Sequence, residues 1–486
     1  MPQASTPHEL QIMQQPLASA GSSRKCRLRS TAHLSNIRRP GCGKAVSVSL
    51  KTGSGPLMLD PTSMRGELRA VRKIVAFNVK YSPNLGDGVI AACIESELAK
   101  RFPHAEIKTL DLAGRTERPT TDAGGRRVLL LRTLNRLPGR LREIATELAL
   151  RCLVSIRCVP LWRKELCGAD CVVFGGGQLI QDQDLNFPVK LAIASREARR
   201  FQIPCSIYAV GVARVTSARA QKLVARFLSK SHAFTSARDS QSVDNLRARG
   251  AGDVVLAPDP ALLAANTWPR APHAPRVRAR IGLCITHPAV LHHHGSVGSG
   301  DDLVAGYEQL ISDLLRSNYD VACFTNGAHE DDLLLGELVA RTRHLDASGL
   351  RVCGVPRPKT PEELAQIVAA CDGIIAHRLH ACILAYAYRI PNIGLVWDSK
   401  LTGFFADLGR IDYTFALLPS TSHAIVMAMR NTLHDGIDVS LHGQHIAQAE
   451  RGMDALARGM ADAVRARAVR AEKTLDDLAA RPMAWI

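Results

Sequence analysis

The stretch "KIVAFNVKYSPNLGDGVIAACIESELAKRF" (73–102) changes period once. Its first seven residues are a β-branched, apolar run suited to a strand. "KYSPNLGDG" then breaks the pattern with Pro, Asn and Gly. "VIAACIESELAKRF" resumes at helical spacing. Strand, polar turn and helix in this order form the opening unit of a parallel α/β sheet. Working outward, apolar runs recur at "AEIKTLDL" (105–112), "CVVFGGG" (171–177), "CSIYAVGV" (205–212), "AFTSARD" (233–239) and "DVVLAPDP" (253–260). Helical segments separate them. The pattern lapses in the Pro- and Arg-rich stretch around 264–280, and a second series begins. "IGLCIT" (281–286), "YDVACFTN" (319–326), "RVCGV", "GIIAHRLH" (373–380) and "NIGLVWD" (392–398) alternate with helices.

The reading is α/β, with two doubly wound, Rossmann-like parallel-sheet domains facing a cleft. The expected divisions are a basic N-terminal extension without a fold over 1–70, a first domain over 71–265, a second over 278–430, and a charged helical tail over 431–486. Ligands of open α/β sheets bind outside the carboxyl ends of the strands. Asn84, Asp87, Gly175, Gly176, Gly177, Arg238, Asp239, Arg378, His380 and Lys400 should all fall there.

Charge narrows the function classes. The chain has 486 residues and a net charge of +17. Residues 1–72 carry 11 Lys/Arg against 3 Asp/Glu, and residues 114–164 carry 12 against 4. The remainder is nearly balanced. Patchy positive charge suits phosphates, acidic glycans or anionic lipid surfaces. Aromatic residues make up only 5% and do not interleave with basic ones, which argues against nucleic acid. The 13 cysteines have no framework spacing and read as reduced thiols. No apolar run is long enough for a membrane span, and no secretory signal is visible. His292, His293 and His294 sit in a Gly/Ser-rich loop, so no metal site is expected.

Each local motif has a bland and a functional reading. "FGGGQL" (174–179) is either a tight turn or a backbone cradle for a ligand. Asp87 either caps a helix or acts on a substrate hydroxyl. Arg238–Asp239 is a local ion pair or an anion clamp. In "HRLH" (377–380), His377 reads as structural and His380 as a candidate acid/base group. In "LLLRTLNRLPGRLREIATELALRCLVSIRC" (129–158), Leu and Arg share an amphipathic pattern. It fits either a solvated helix or a membrane-surface element.

Together, "NLGDG", "GGGQL", "RDSQS", "DPAL", "CFTNGAHEDD" and "HRLHACILAYAYRIPNIGLVWDSKLTGFFADLG" resemble the polysaccharide pyruvyl transferase family, in family order over about 73–420. The resemblance implies a fold similar to the B-type glycosyltransferases. It also implies transfer of the pyruvyl group of phosphoenolpyruvate onto a sugar, giving a cyclic ketal and phosphate. Carried onto this chain, it makes Arg238, Arg378, Leu379 and Lys400 donor-binding, and His380 and Asp87 catalytic. Asn84 joins Asp87 on the acceptor side, and Gly175–Gly177 form a glycine-rich loop. Two positions depart from the family's usual string: His377 ahead of Arg-Leu-His, and Trp397-Asp398-Ser399 ahead of the Lys. No cofactor is expected beyond phosphoenolpyruvate as co-substrate. The expected partners are a glycan acceptor, lipid-linked, and an anionic membrane surface at 114–164. That suits exopolysaccharide synthesis by a cytoplasmic protein on the inner membrane face. The competing readings are a nucleotide-sugar glycosyltransferase of the same fold and a non-catalytic anionic-glycan or membrane-surface binding protein.

Overall fold

In the computed structural model, the described residues are 68, 70–118, 139–182, 185–229, 232–272, 276–292, 300–346 and 351–479. The extension over 1–67, residues 119–138 of the basic stretch, and His293 and His294 lie outside them.

The opening stretch folds as strand β1 (Lys73–Asn78) and helix α1 (Leu85–Arg101). Strands β2 (Glu106–Asp111), β3 (Cys171–Gly175), β4 (Cys205–Val210), β5 (Thr235–Ala237) and β6 (Val255–Leu256) complete a parallel sheet of order β2-β1-β3-β4-β5-β6. β1 lies between β2 and β3, with Ile74 opposite Ile107 and Cys171. Its central residues, Ile74–Phe77, are apolar and buried because helices cover both faces. β2 is an edge strand and alternates Glu106 and Lys108 outward. Helices α2 (Gly139–Arg157), α3 (Val159–Leu166), α4 (Asn186–Arg200), α5 (Ala218–Leu228) and α6 (Ser240–Arg247) make the crossovers.

The second sheet is built from β7 (Arg280–Cys284), β8 (Asp320–Phe324), β9 (Val352–Gly354), β10 (Gly373–Ala376), β11 (Asn392–Leu395) and β12 (Thr414–Phe415). Its order, β12-β11-β10-β7-β8-β9, is again parallel. Helices α7 (Gly300–Arg316), α8 (His329–Thr342), α9 (Pro361–Ala369), α10 (Leu379–Ala387), α11 (Ser399–Asp407) and α12 (Ser422–Asp435) cover it. The fold class read from the sequence, two doubly wound sheets, is the one found. α12 runs across residue 430, where the sequence reading ended the second domain.

Each sheet reverses its strand order once, between β1 and β3 and between β7 and β10. Connections leave such a switch point in opposite directions and open a crevice at the carboxyl ends. The sequence motifs sit at these two points: Asn84 and Asp87 after β1, Gly175 at the end of β3 with Gly176 and Gly177 after it, and His377–His380 after β10.

One face of the first sheet is closed by an aromatic stack. Phe77 lies 5.2 Å from Phe174, with Trp162 and Phe227 edge-on. Its other face shares a core with the second sheet. Leu85, Ile90 and Ile94 of α1, Ala261–Ala264, and Ile383 and Tyr386 of α10 belong to one buried cluster. Helix α13 (Val439–Ala479) contributes Met453, Leu456 and Met460 to that cluster, so the charged tail packs across the first domain.

Two local expectations are corrected. "GIIAHRLH" is not strand throughout: β10 ends at Ala376 and Arg378 is the extended cap of α10. The ladder to β7 stops at Cys284, and the Ala-rich residues after Arg378 favour helix. His380 therefore stands in a first helical turn. Lys400 likewise sits in the first turn of α11, capped by Asp398.

Candidate active site

The site is assembled where α1 meets α10. Asn84 caps α1, its Oδ1 accepting from the Gly86 amide at 3.2 Å. Asp87 therefore does not cap the helix and faces the crevice. Leu85 N donates to the Asn326 carbonyl at 2.9 Å, which ties this turn to the end of β8. Asn84 is thus a capping and domain-joining residue here. The turn also needs glycine: a Cβ on Gly86 would lie 2.4 Å from His380 Nδ1. The imidazole rests against bare backbone.

His380 is buried. Its Nε2 has no hydrogen-bond partner among the described residues. The nearest acid, Asp259 Oδ2, is 3.9 Å away, too far for a bond. Leaving a buried ring nitrogen unpaired costs about 1–3 kcal/mol. Burial pushes the His380 pKa below its ordinary 6.5, while Asp259 and Asp87 pull it up. Burial drives the Asp87 pKa above its ordinary 3.8; His380 and a hydrogen bond with Ser82 oppose the rise. Burial thus disfavours the charged form of both groups, and each partly offsets this through the charge of the other.

Arg238 leaves β5 and is locked in place. Nη1 donates to Asp259 Oδ2 at 3.1 Å, and Nη2 donates to Gln178 Oε1 at 2.9 Å. Asp239 Oδ2 lies 3.5 Å from Nε, and Asp239 also caps α6. A Cβ on Gly211 would come within 2.9 Å of the guanidinium, so glycine clears its path. Gly176 and Gly177 both have φ +72, which favours glycine. Gly177 presents its backbone to Asp87, whose Oδ1 would stand 3.6 Å from a Cβ there. Gly175 ends β3 itself.

Arg238, Asp259, Leu379 and Lys400 line one cavity of about 570 Å³. Lys400 Nζ is 3.9 Å from Asp398. Burial lowers the Lys400 pKa, with Asp398 opposing. A smaller cavity of about 230 Å³ is lined by Asp87 together with Ser82, Arg115, Phe187 and Lys190. Asp87 borders this second cavity while feeling the charge of His380.

Arg378 does not join the larger cavity's lining. Its Nε donates to Asp331 Oδ2 at 3.1 Å, and Nη2 binds the same oxygen. Asp331 is fully buried and also accepts from His287 N. His377 turns into the core, its Nδ1 2.8 Å from the Tyr307 hydroxyl. Burial, aided by Arg378, lowers its pKa to about 3.

The sequence reading assigned no roles to Asp259, Asp331 or Gln178. Asp259 and Asp331 lie within quoted motifs, "DPAL" and "GAHEDD", but their partners are 21 and 47 residues away in the chain. Among the described residues, no three His, Cys, Asp or Glu side chains are grouped to hold a metal ion.

A family model described as polysaccharide pyruvyl transferase matches residues 84–399, well over half of the chain. The chain belongs to the polysaccharide pyruvyl transferase family. The matched span runs from the Asn84 cap to the α11 helix, and so covers every site residue except Lys400. No curated protein sequence matches this family member. Similar solved structures include MnaA of S. aureus with UDP (11% identity, TM-score 0.45, covering 85% of this chain and 100% of that one). Another is the UDP-GlcNAc 2-epimerase of Neisseria meningitidis bound to UDP-GlcNAc (11%, 0.42, 83% and 100%). A third is the ADP-heptose heptosyltransferase II of E. coli (13%, 0.37, 75% and 99%).

Proposed function

We propose that this pyruvyl transferase takes its pyruvyl group from phosphoenolpyruvate and places it as a cyclic ketal on a glycan acceptor, releasing phosphate. The observation that carries the reading is the orphaned, buried Nε2 of His380 beside a clamped Arg238. The donor carries a carboxylate and a phosphate, and Arg238 and Lys400 offer positive charge to both. Arg378 is held by Asp331 outside the lining of this cavity and takes no part in the donor clamp. Leu379 supplies an apolar wall.

Neutral His380 takes the proton of the first acceptor hydroxyl as that oxygen bonds to C2 of the donor. The proton passes to C3, which becomes the methyl group. The transient imidazolium stands between Asp259 and Asp87. The second hydroxyl then attacks C2 as the C–O bond to phosphate breaks, and its proton leaves with the phosphate. Asp87 hydrogen-bonds the acceptor hydroxyl from the smaller cavity. No other cofactor enters this scheme. The acceptor is read as lipid-linked and the enzyme as cytoplasmic, in exopolysaccharide synthesis.

A nucleotide-sugar glycosyltransferase is the second reading, because Asp239 and Asp407 also line the larger cavity and a ribose needs a carboxylate. Asp239 is already committed to α6 and Arg238, which favours the first reading. The test is phosphate release from phosphoenolpyruvate in the presence of acceptor glycans. His380→Ala should lower turnover by about 10²-fold or more while donor affinity stays within a few-fold. Release at the wild-type rate by the variant would remove His380 from the chemistry.

A further inference from the structure

The outward face of α2 has an apolar surface that the transfer reaction does not use. Leu141, Ile144, Leu148, Cys152 and Ile156 recur at intervals of three and four and are all exposed. Leu148 and Ile156 keep 62% and 71% of their surface in solvent. The opposite face does the packing, through Thr146, Val154 and, just past the helix, Cys158. Residues at these spacings share one side of a helix, so the five form a continuous stripe. Arg142 and Arg157 are exposed on the same helix, and Arg163 and Lys164 on α3. Arg157 and Lys164 make no ion pair among the described residues. In sequence, the helix is preceded by Arg126, Arg127, Arg132 and Arg136.

We infer that this stripe docks the protein on an anionic lipid bilayer, with its apolar side chains in the headgroup–acyl boundary and its arginines among the headgroups. An exposed apolar face on a helix that also carries exposed arginines is the pattern of an interfacial helix. A second copy of the chain fits less well, because symmetric pairing would bring the exposed arginines of the two helices together. The position also suits acceptor delivery, a point that rests on the pyruvyl-transfer reading. Cys158 abuts Gly114, where a Cβ would lie 2.6 Å from its Sγ. The neighbours of Gly114, Ala113 and Arg115, line the smaller cavity beside Asp87. The C-terminal end of α2 therefore adjoins, through its packed face, the pocket proposed for the acceptor.

The test is vesicle flotation of the full chain, which requires no turnover and so separates this inference from the reaction. Vesicles are phosphatidylcholine with and without phosphatidylglycerol, at low and raised salt. Wild type should float with the anionic vesicles and partly persist at raised salt, because the apolar contribution is not screened. The double variant Leu148→Ser/Ile156→Ser should lose about tenfold or more in partitioning. Arg142→Glu/Arg157→Glu should bind less and show a weaker salt response. All four positions are exposed, so melting temperature should stay near wild type. Three results would overturn the inference. Wild type could stay with the aqueous fraction, or both variants could float like wild type. Light scattering could also show a wild-type dimer that Leu148→Ser/Ile156→Ser converts to monomer, assigning the stripe to self-association.

Discussion

His380 is placed by an absence: the missing side chain at Gly86 is what lets its ring lie against α1. Gly86→Ala would put a methyl 2.4 Å from Nδ1 and displace the imidazole. A shift of about 1 Å in a reacting group costs on the order of 10²-fold. Gly86→Ala should therefore fold, by circular dichroism, and lose that much kcat; wild-type turnover would show that the ring position is immaterial. His377 makes a different prediction. Its folded pKa of about 3 lies below the ordinary 6.5. The unfolded chain thus binds a proton that the folded one refuses. The stabilising contribution is complete above pH 6.5 and is lost as pH falls toward 3. Between pH 6.5 and 5, wild type should lose about 2 kcal/mol more stability than His377→Gln. Parallel urea-denaturation curves for the two at both pH values would contradict the assignment. His377 and His380 were separable in the sequence by their alternation around Arg378. Their surroundings were not, because Tyr307, which bonds His377, and Asp259, the acid facing His380, are 70 and 121 residues away in the chain.

At the scale of elements, α13 ties the end of the chain to the first sheet. Met453, Leu456 and Met460 are fully buried. Gly452 lets the helix approach Ala257, and Arg101 pairs with Asp454. Leu456→Ala should cost about 2–5 kcal/mol in denaturant unfolding, as for other large-to-small changes in a packed core. A change below 1 kcal/mol would mean that the helix is only laid on the surface. The helical period of this tail was plain in the sequence, but its docking was left open, because the surface it covers is assembled from distant segments. The strand assigned through His380 failed for a related reason. A short apolar run continues equally well as strand or helix, and only the end of the β7 ladder at Cys284 decides.

At the scale of the molecule, the alternation of apolar runs and helices was enough to read two doubly wound domains, because repeated alternation identifies a covered parallel sheet even where single runs are ambiguous. The strand order then brought the motifs to two switch points. The carboxylates that fix the cations, Asp259 on Arg238 and Asp331 on Arg378, were not legible, since an ion pair between residues 21 or 47 apart in the chain leaves no local signal. The central claim is that this crevice binds a pyruvyl donor rather than a nucleotide. Titration calorimetry with phosphoenolpyruvate and, separately, with nucleoside diphosphates tests it on the free enzyme. Phosphoenolpyruvate should bind wild type and His380→Ala alike. Arg238→Ala should weaken it by about 2–4 kcal/mol, since Asp259 loses its partner as the donor loses its clamp. Nucleoside diphosphates should give no heat beyond dilution. Saturable binding of a nucleoside diphosphate, with none of phosphoenolpyruvate, would contradict the account.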